Sequence, residues 1–396
     1  MTAAVTSSGA TVAAVPPLAG FTVGVTAARR AEELATMLER RGAVVQQGAA
    51  LRIVPVADDT ELADATRALI ARPPDITVAT TGIGFRGWVE AADGWGIGED
   101  LLAALGSGKL LARGPKARGA IRASGLVDAW SPPSESSAEV LDHLLDMGVD
   151  GLRIAVQLHG EPLPDVVDAL RMAGAEVVEL PVYRWLPPAD LGPLDRLIDT
   201  VLCGGIDVLA FTSAPAAASL LARATERGMR ELLLDALRGP VLALCVGPVT
   251  AAPLEAVDVP TVQPQRSRLG AMVRQLEAEL PARARRLPVA GHVLELRGYA
   301  VLVDGELRTV PPAGMALLRV LARRPGRVVS RAELLKALPG GSGDEHAVET
   351  AMARLRGALG RPKLVQTVVK RGYRLALDPG AGPGTVGGHC VHGSVR

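Results

Sequence analysis

Between residues 21 and 280, short runs of β-branched and small apolar residues alternate with longer segments whose apolar positions recur every three or four residues. The runs "TVGV" (22–25), "DITVAT" (75–80), "LRIAVQL" (152–158), "VEL" (178–180), "DVLAFT" (207–212) and "PVLALCVG" (240–247) have no wet face. They predict buried strands. Between them, "RRAEELATMLERRG" (29–42), "PDVVDALRMAG" (164–174) and "SRLGAMVRQLEAEL" (267–280) predict amphipathic helices, each bounded by Gly, Ser or Pro. Strands alternating with helices define a parallel α/β sheet. Some 260 residues are long for one such sheet, so two α/β lobes are expected, with "RIVPV" (52–56) and "LPVYRWLPP" (180–188) as the crossings between them.

The texture changes after "LPARARRLP" (280–288), whose residues 282–288 read as a linker. "HVLELRGYAVLVDGELRTV" alternates and carries Asp304-Gly305, a strong hairpin signal. Two helices are predicted next, "AGMALLRVLARRPG" (313–326) and "SRAELLKALPG" (330–340), the second opened by Ser330 with Glu333 three residues on.

In "HAVETAMARLRGALG" (346–360), Val348, Met352, Leu355 and Leu359 are spaced four, three and four apart, which is one helical stripe. The opposite side carries His346, Thr350, Ala353 and Arg354, with Arg356 at its edge and Glu349 flanking. Small, hydrogen-bonding and cationic groups suit a face inserted into a major groove. Downstream, "KLVQTVVKRGYRLAL" predicts a hairpin holding Thr367 and tipped by Lys370 and Arg371, placed to meet phosphates or a minor groove.

Charge sharpens this division. Of the 396 residues, 1–280 hold 24 Lys+Arg against 34 Asp+Glu, whereas 281–378 hold 18 against 8. A basic module on an acidic body is the footprint of a part that meets a polyanion, here double-stranded DNA. Aromatic residues make up only 3%, too few to build base-stacking surfaces for RNA or single strands. Three distant cysteines, Cys203, Cys245 and Cys390, argue against a disulfide framework and for a reducing, cytoplasmic compartment. No uncharged run is long enough to span a membrane. Residues 1–17 read as a loose tail and 379–396 as a Gly-rich one. His389, Cys390 and His392 in the latter offer three potential metal ligands, an incomplete site, and no cofactor is expected.

Three predicted strand ends carry hydroxyls beside small residues: Thr80, Thr81 and Gly82 in "VATTGIG", Ser213 in "AFTSAP", and Gly247 and Thr250 in "LCVGPVTAA". Loops at the carboxyl ends of parallel strands line ligand crevices, and the helices they feed present unpaired amides that bind anions. Two readings are open at this point: subsites for a multiply anionic ligand, or ordinary helix caps.

Two resemblances rest on these stretches. "DGELRTVPPAGMALLRVLARRPGRVVSRAELLKAL", "HAVETAMARLRGALG" and "VQTVVKRGYRL" look like the winged-helix output domain of bacterial two-component response regulators, over about 90 residues (289–378). Gly314, Ala351 and Val369 depart from that family's usual glutamate, histidine and arginine, which puts the half-site sequence in question and not the fold. No phosphoacceptor receiver pattern precedes it. "VGVTAARRAEELATMLERRGAVVQ", "VVELPVYRW", "DVLAFTSAPAAASLLARA", "CVGPVTAAPLEA" and "SRLGAMVRQL", in that order, resemble uroporphyrinogen-III synthase across residues 18–281.

That second resemblance implies a lobe of residues 18–54 plus 186–281, an inserted lobe of 55–185, and a two-stranded ladder between them. It also implies an activity, cofactor-free closure of linear hydroxymethylbilane with loss of water and inversion of ring D. Such chemistry asks mainly for positioning. Tyr183 in "PVYRW" would then assist the departing hydroxyl, hinge packing being its rival role, while Ser213 and Thr250 would hold substrate carboxylates. The family's early arginine is displaced to Arg29 or Arg30, and "TTGIG" departs from its usual threonine-serine-asparagine pattern. The expectation is a transcriptional regulator in which this body senses a tetrapyrrole or similar polyanion, and in which ligand shifts the orientation or dimeric pairing of winged helices on DNA. An active synthase with an appended DNA reader is the alternative, and partner-protein binding a third.

Overall fold

The computed structural model describes residues 14–55, 60–133, 136–160, 163–338 and 345–378. The chain begins with β1 (Thr22–Val25), α1 (Ala31–Glu39) and β2 (Val44–Gln47). It continues through β3 (Arg52–Pro55), α2 (Thr60–Ala71), β4 (Ile76–Ala79), α3 (Gly82–Gly94), α4 (Gly98–Gly106), β5 (Lys109–Ala112), α5 (Pro115–Ala123), α6 (Ser137–Met147), β6 (Arg153–Gly160), α7 (Pro164–Met172) and β7 (Glu176–Leu186). Then follow α8 (Gly192–Leu202), β8 (Val208–Phe211), α9 (Ala214–Glu226), α10 (Arg230–Arg238), β9 (Leu242–Cys245), α11 (Pro248–Glu255), β10 (Thr261–Val262) and α12 (Leu269–Arg283). The C-terminal part holds β11 (Arg285–Val289), β12 (His292–Leu296), β13 (Ala300–Val303), β14 (Glu306–Thr309), α13 (Pro312–Arg323), α14 (Arg331–Ala337), α15 (Glu345–Leu359), β15 (Val365–Val368) and β16 (Gly372–Leu375). Residues 51–189 form one compact unit; residues up to 50 and from 190 onward form the other.

In the discontinuous unit, the parallel sheet runs β10-β9-β8-β1-β2. All four residues of β8 and of β9 are buried, as their unbroken apolar runs require. The order reverses between β1 and β8, a topological switch point. The other unit has the order β3-β7-β6-β4-β5, parallel except for β3, with its switch between β4 and β6. Phe85 and Trp88 of α3 fill its core, and the buried Trp88 indole donates to Thr66 Oγ1 at 2.9 Å.

β7 is far longer than the three residues "VEL" predict. It pairs in parallel with β6 from Glu176 to Pro181 and, past an irregularity, again at Arg184 opposite Gly160, while its other edge pairs antiparallel with β3, where Pro55 opposes Tyr183 and Arg52 opposes Leu186. Pro181, which has no N–H to give, sits at the irregularity in the β6–β7 pairing.

The expected linker 282–288 is not one. α12 runs to Arg283 with Pro281 inside its last turn, and 285–289 is strand β11, the edge of the antiparallel sheet β11-β12-β13-β14. Leu287 and Val289 are buried while Arg286 and Pro288 face out; the cations and the proline hid this alternation. The tail also ends earlier than residue 17, because Pro16 and Pro17 offer their carbonyls to Ala19 N–H and Arg297. Residues 1–13 and 379–396, with His389, Cys390 and His392, lie outside the described residues.

In the C-terminal part, Asp304 and Gly305 both adopt positive φ (53° and 83°) in the predicted hairpin turn. Ser330 Oγ accepts from Glu333 N–H at 3.2 Å, the predicted cap. Val348, Met352, Leu355 and Leu359 are each wholly buried against α13 and the sheet, worth about 1.5–3 kcal/mol per side chain.

Candidate ligand crevices and DNA-binding face

At the β4/β6 switch point the chain turns from β4 into α3 through Thr80 and Thr81. Thr80 is buried, and its hydroxyl donates to the Gln157 carbonyl at 2.9 Å, so it braces β4 against β6 and its one proton is committed there. That is a structural role, where the strand-end pattern implied a binding one. Thr81 caps α3, accepting from Gly84 N–H (3.2 Å) and from Gln157 Nε2 (2.9 Å). Gly82 is held against α5: a Cβ there would stand 2.2 Å from the Lys116 carbonyl oxygen. The first turn of α3 therefore lies directly against the first turn of α5. Gln157, fully buried, is the residue that the sequence reading missed here.

At the β1/β8 switch point, Thr26 is buried and spends its hydroxyl on the Ala210 carbonyl (3.0 Å). Ser213 occupies the N-cap of α9 with no side-chain cap bond, leaving a half-buried hydroxyl at the mouth. Gly247 precedes α11 and lies against Ser267, whose Oγ would be 2.4 Å from a Cβ at that position. Thr250 is buried in the first turn of α11, and its N–H donates to the Gly247 carbonyl at 3.0 Å. Ser267 brings Arg266 and Arg268, both exposed, to the same loop, and among the described residues neither is ion-paired. Arg30 is the N-cap of α1 in the left-handed region (φ 54°) and pairs with Glu33, which holds that carboxyl below its usual range. Arg29 beside it is exposed.

Tyr183 is buried in the core of the 51–189 unit, its ring 6.3 Å from that of Trp185 at a tilt of 49°. These surroundings support packing at the crossing strand. Cys245 is also buried at the end of β9, and burial pushes its thiol up to about 12, which makes it inert.

On the winged helix, His346, Thr350 and Arg354 are exposed along one face of α15. Lys370 (φ 60°) and Arg371 stand exposed in the β15–β16 turn beside Val369, which is 79% exposed. Among the described residues, Arg354, Lys370 and Arg371 have no ion-pair partner, so three full charges point at solvent. Arg356 and Thr367 behave differently: the Arg356 guanidinium donates to Thr367 Oγ1 and stacks on Tyr373, 5.5 Å from its ring centre. They hold the wing to the helix. A cavity of about 370 Å³ between α13 and α15 is lined by Gly314, Ala351, Thr350 and Arg354, and Gly314 and Ala351 are two of the positions that depart from the response-regulator pattern.

Two switch-point α/β lobes followed by a basic winged helix define a DNA-reading protein with a two-lobed body. The profile described as uroporphyrinogen-III synthase HemD matches residues 32–274, more than half of the chain, and that described as transcriptional regulatory protein, C terminal, matches 305–375. The chain belongs to the uroporphyrinogen-III synthase HemD family and carries a response-regulator-type C-terminal DNA-binding domain. It is 31% identical to a mutant uroporphyrinogen III synthase of the extremely thermophilic bacterium Thermus thermophilus, covering 65% of this chain and 100% of that one, with a TM-score of 0.55. It is 27% identical over 260 residues to the uncharacterized protein YjjA of Bacillus subtilis, covering 65% of this chain and 96% of that protein. It is also 30% identical over 232 residues to the response regulator protein PmrA of Pseudomonas aeruginosa, covering 57% and 91%. Among the described residues no helix is long and apolar enough to cross a membrane.

Proposed function

We propose that this protein is a transcriptional regulator whose synthase-type body binds a tetrapyrrole or comparable polycarboxylate and thereby adjusts DNA binding by the winged helix. The observation that carries the reading is local charge against global charge. Residues 1–280 are net acidic, yet the strand-end loops of the discontinuous unit present helix-end amides, the Ser213 hydroxyl and the cations Arg266 and Arg268. A ligand with several carboxylates matches that arrangement, since the loops leading into α9 and α11 offer donors and neither helix has an acid in its first turn. Thr80 and Tyr183 are both buried, and in the sensor reading they pack rather than touch ligand.

Because uroporphyrinogen III leads to siroheme as well as heme, genes for siroheme-dependent nitrite or sulfite assimilation are the expected targets, bound by a dimer in a reducing cytoplasm. The test begins with a duplex selected from a random-sequence pool, titrated with protein in the presence and absence of uroporphyrin III, the stable oxidised octacarboxylate. A ligand-dependent change in affinity of at least about fivefold is expected. Equal affinities would overturn the sensor reading, and a selected motif absent upstream of any such assimilation gene would overturn the target assignment.

A second reading, an active synthase with an attached DNA reader, is favoured by one observation: the Ser213 loop keeps an uncommitted hydroxyl at the switch point. Formation of the type III isomer from freshly generated hydroxymethylbilane decides it.

A further inference from the structure

The winged helix meets the body at a built polar joint. Arg297, in the turn after β12 and only 8% exposed, donates to the Ala19 carbonyl at 2.6 Å and the Pro17 carbonyl at 3.3 Å. Its Nε donates to Glu295 Oε1 at 2.8 Å, and its guanidinium lies 5.2 Å from the centre of the Phe21 ring. Glu295, equally buried, also takes Arg286 at 2.9 Å, so the inward charge is fully paired. Tyr299 N–H donates to the Gly20 carbonyl (2.9 Å), and Arg319 of α13 donates to the carbonyls of Gly298 (2.5 Å) and Gly204 (3.5 Å).

Two glycines make the approach close. Gly20 has φ +92°, and a Cβ on it would lie 3.1 Å from Ala300 Cβ and Arg297 Cβ. A Cβ on Gly298 would lie 1.9 Å from the Asp207 carboxylate, which accepts from Thr22 N–H at 2.8 Å. Thr22 opens β1 and Asp207 immediately precedes β8. The joint therefore grips the amino ends of the same two strands whose carboxyl ends form the switch-point crevice at Ser213. Each strand is four residues long, so crevice and joint are separated by about 13 Å of hydrogen-bonded sheet. None of His346, Thr350, Arg354, Lys370 and Arg371 takes part in the joint.

We infer that this joint makes the β1/β8 lobe and the winged helix a single mechanical body, and that strands β1 and β8 are the route by which crevice occupancy reaches the DNA reader. The interlock stands on the fold alone; its role in signalling rests on the sensor reading above.

Hydrogen exchange on the full-length protein tests it, comparing wild type with Arg297→Ala and with Gly298→Ala. Wild type is expected to protect the Thr22 and Tyr299 amides. Both variants should accelerate these at least about tenfold while Val329 and Tyr373, bonded to each other within the winged helix, stay protected. The variants should also lose any uroporphyrin III effect on duplex affinity that wild type shows. Thr22 and Tyr299 amides that exchange in wild type like exposed backbone would overturn the interlock, as would variants that keep the full uroporphyrin response. A wild type without any uroporphyrin response refutes the sensor reading and the signalling route, while protected amides in that sample uphold the interlock. If Arg297→Ala also frees Val329 and Tyr373, the more local Gly298→Ala decides.

Discussion

Arg356 reaches from α15 to Thr367 on β15, donating to its Oγ1 at 2.8 Å and to the neighbouring Val365 carbonyl at 3.0 Å. The helix that would enter the major groove and the wing that would track the backbone are thus one rigid piece. Arg354, two residues earlier, points to solvent with no partner among the described residues. The two arginines should fail differently. Arg354→Ala is expected to abolish preference for the selected duplex with no change in melting temperature. Arg356→Ala should cost about 1–2 kcal/mol of stability, through lost hydrogen bonds and stacking on Tyr373, and weaken binding to every sequence alike. Lys370→Ala should reduce the salt slope of binding by about one. Fluorescence anisotropy at several salt concentrations, with a thermal melt of each variant, checks all three; retained preference in Arg354→Ala would sink the groove assignment.

Two glycines of the winged helix should respond in opposite directions to alanine. Gly372 has φ +130°, and a Cβ there would stand 2.0 Å from the Val329 carbonyl oxygen, which accepts from Tyr373 N–H. Gly372→Ala should cost at least about 2 kcal/mol and detach the wing from the start of α14. Gly357 is inside α15, and beyond the helix's own backbone no atom lies within 4 Å of a Cβ position, so Gly357→Ala should stabilise by about 0.5–1 kcal/mol. Urea denaturation curves give both values, and a stabilised Gly372→Ala would contradict the wing geometry.

The elements that the sequence revealed are those whose periodicity is undisturbed. β8 and β9 are unbroken apolar runs, and the Val348–Met352–Leu355–Leu359 stripe falls on one face. β11 was missed because the three arginines and two prolines of the window 280–288 obscure the alternation of Leu287 and Val289. The strand-end hydroxyls were found, but their fates were not legible. Thr80 is consumed by a carbonyl 77 residues away, whereas Ser213 is left uncommitted. The joint was invisible for the same reason in stronger form: Thr22 meets Asp207 across 185 positions, and Arg297 meets Ala19 across 278. No local pattern marks a buried polar group whose partner arrives from another part of the chain.

Asp207 gives stability an unusual pH dependence. Burial at the joint pushes its carboxyl up to about 6, opposed by the Thr22 N–H and by Arg319. With the native pKa above the unfolded one, the folded chain binds the extra proton between about pH 4 and 6. The contribution is fully present below that window and is lost as pH rises through it, by up to about 3 kcal/mol. Asp207→Asn keeps an acceptor for Thr22 and cannot ionise. Wild type should therefore lose stability relative to this variant between about pH 4.5 and 7.5, as read from denaturant midpoints at both values. A constant difference across that range would show that the carboxyl is not perturbed in the folded protein.

Tyr183 separates the two readings of the body. Its ring packs in the core of the 51–189 unit beside Trp185, so Tyr183→Phe removes a hydroxyl and leaves the packing surface intact. If the body is a sensor, wild type should leave fresh hydroxymethylbilane to cyclise on its own to the type I isomer, and Tyr183→Phe should do the same. An active synthase would yield a strong excess of type III. In that case the variant tells what the hydroxyl does: a fall in kcat of about 10²-fold or more, with KM little changed, would make it a proton donor to the departing hydroxyl. An unchanged rate would leave it a packing residue in a working enzyme. The isomer ratio from wild type is therefore the first number to obtain, because it decides whether the DNA reader is governed by a ligand that is held or by one that is turned over.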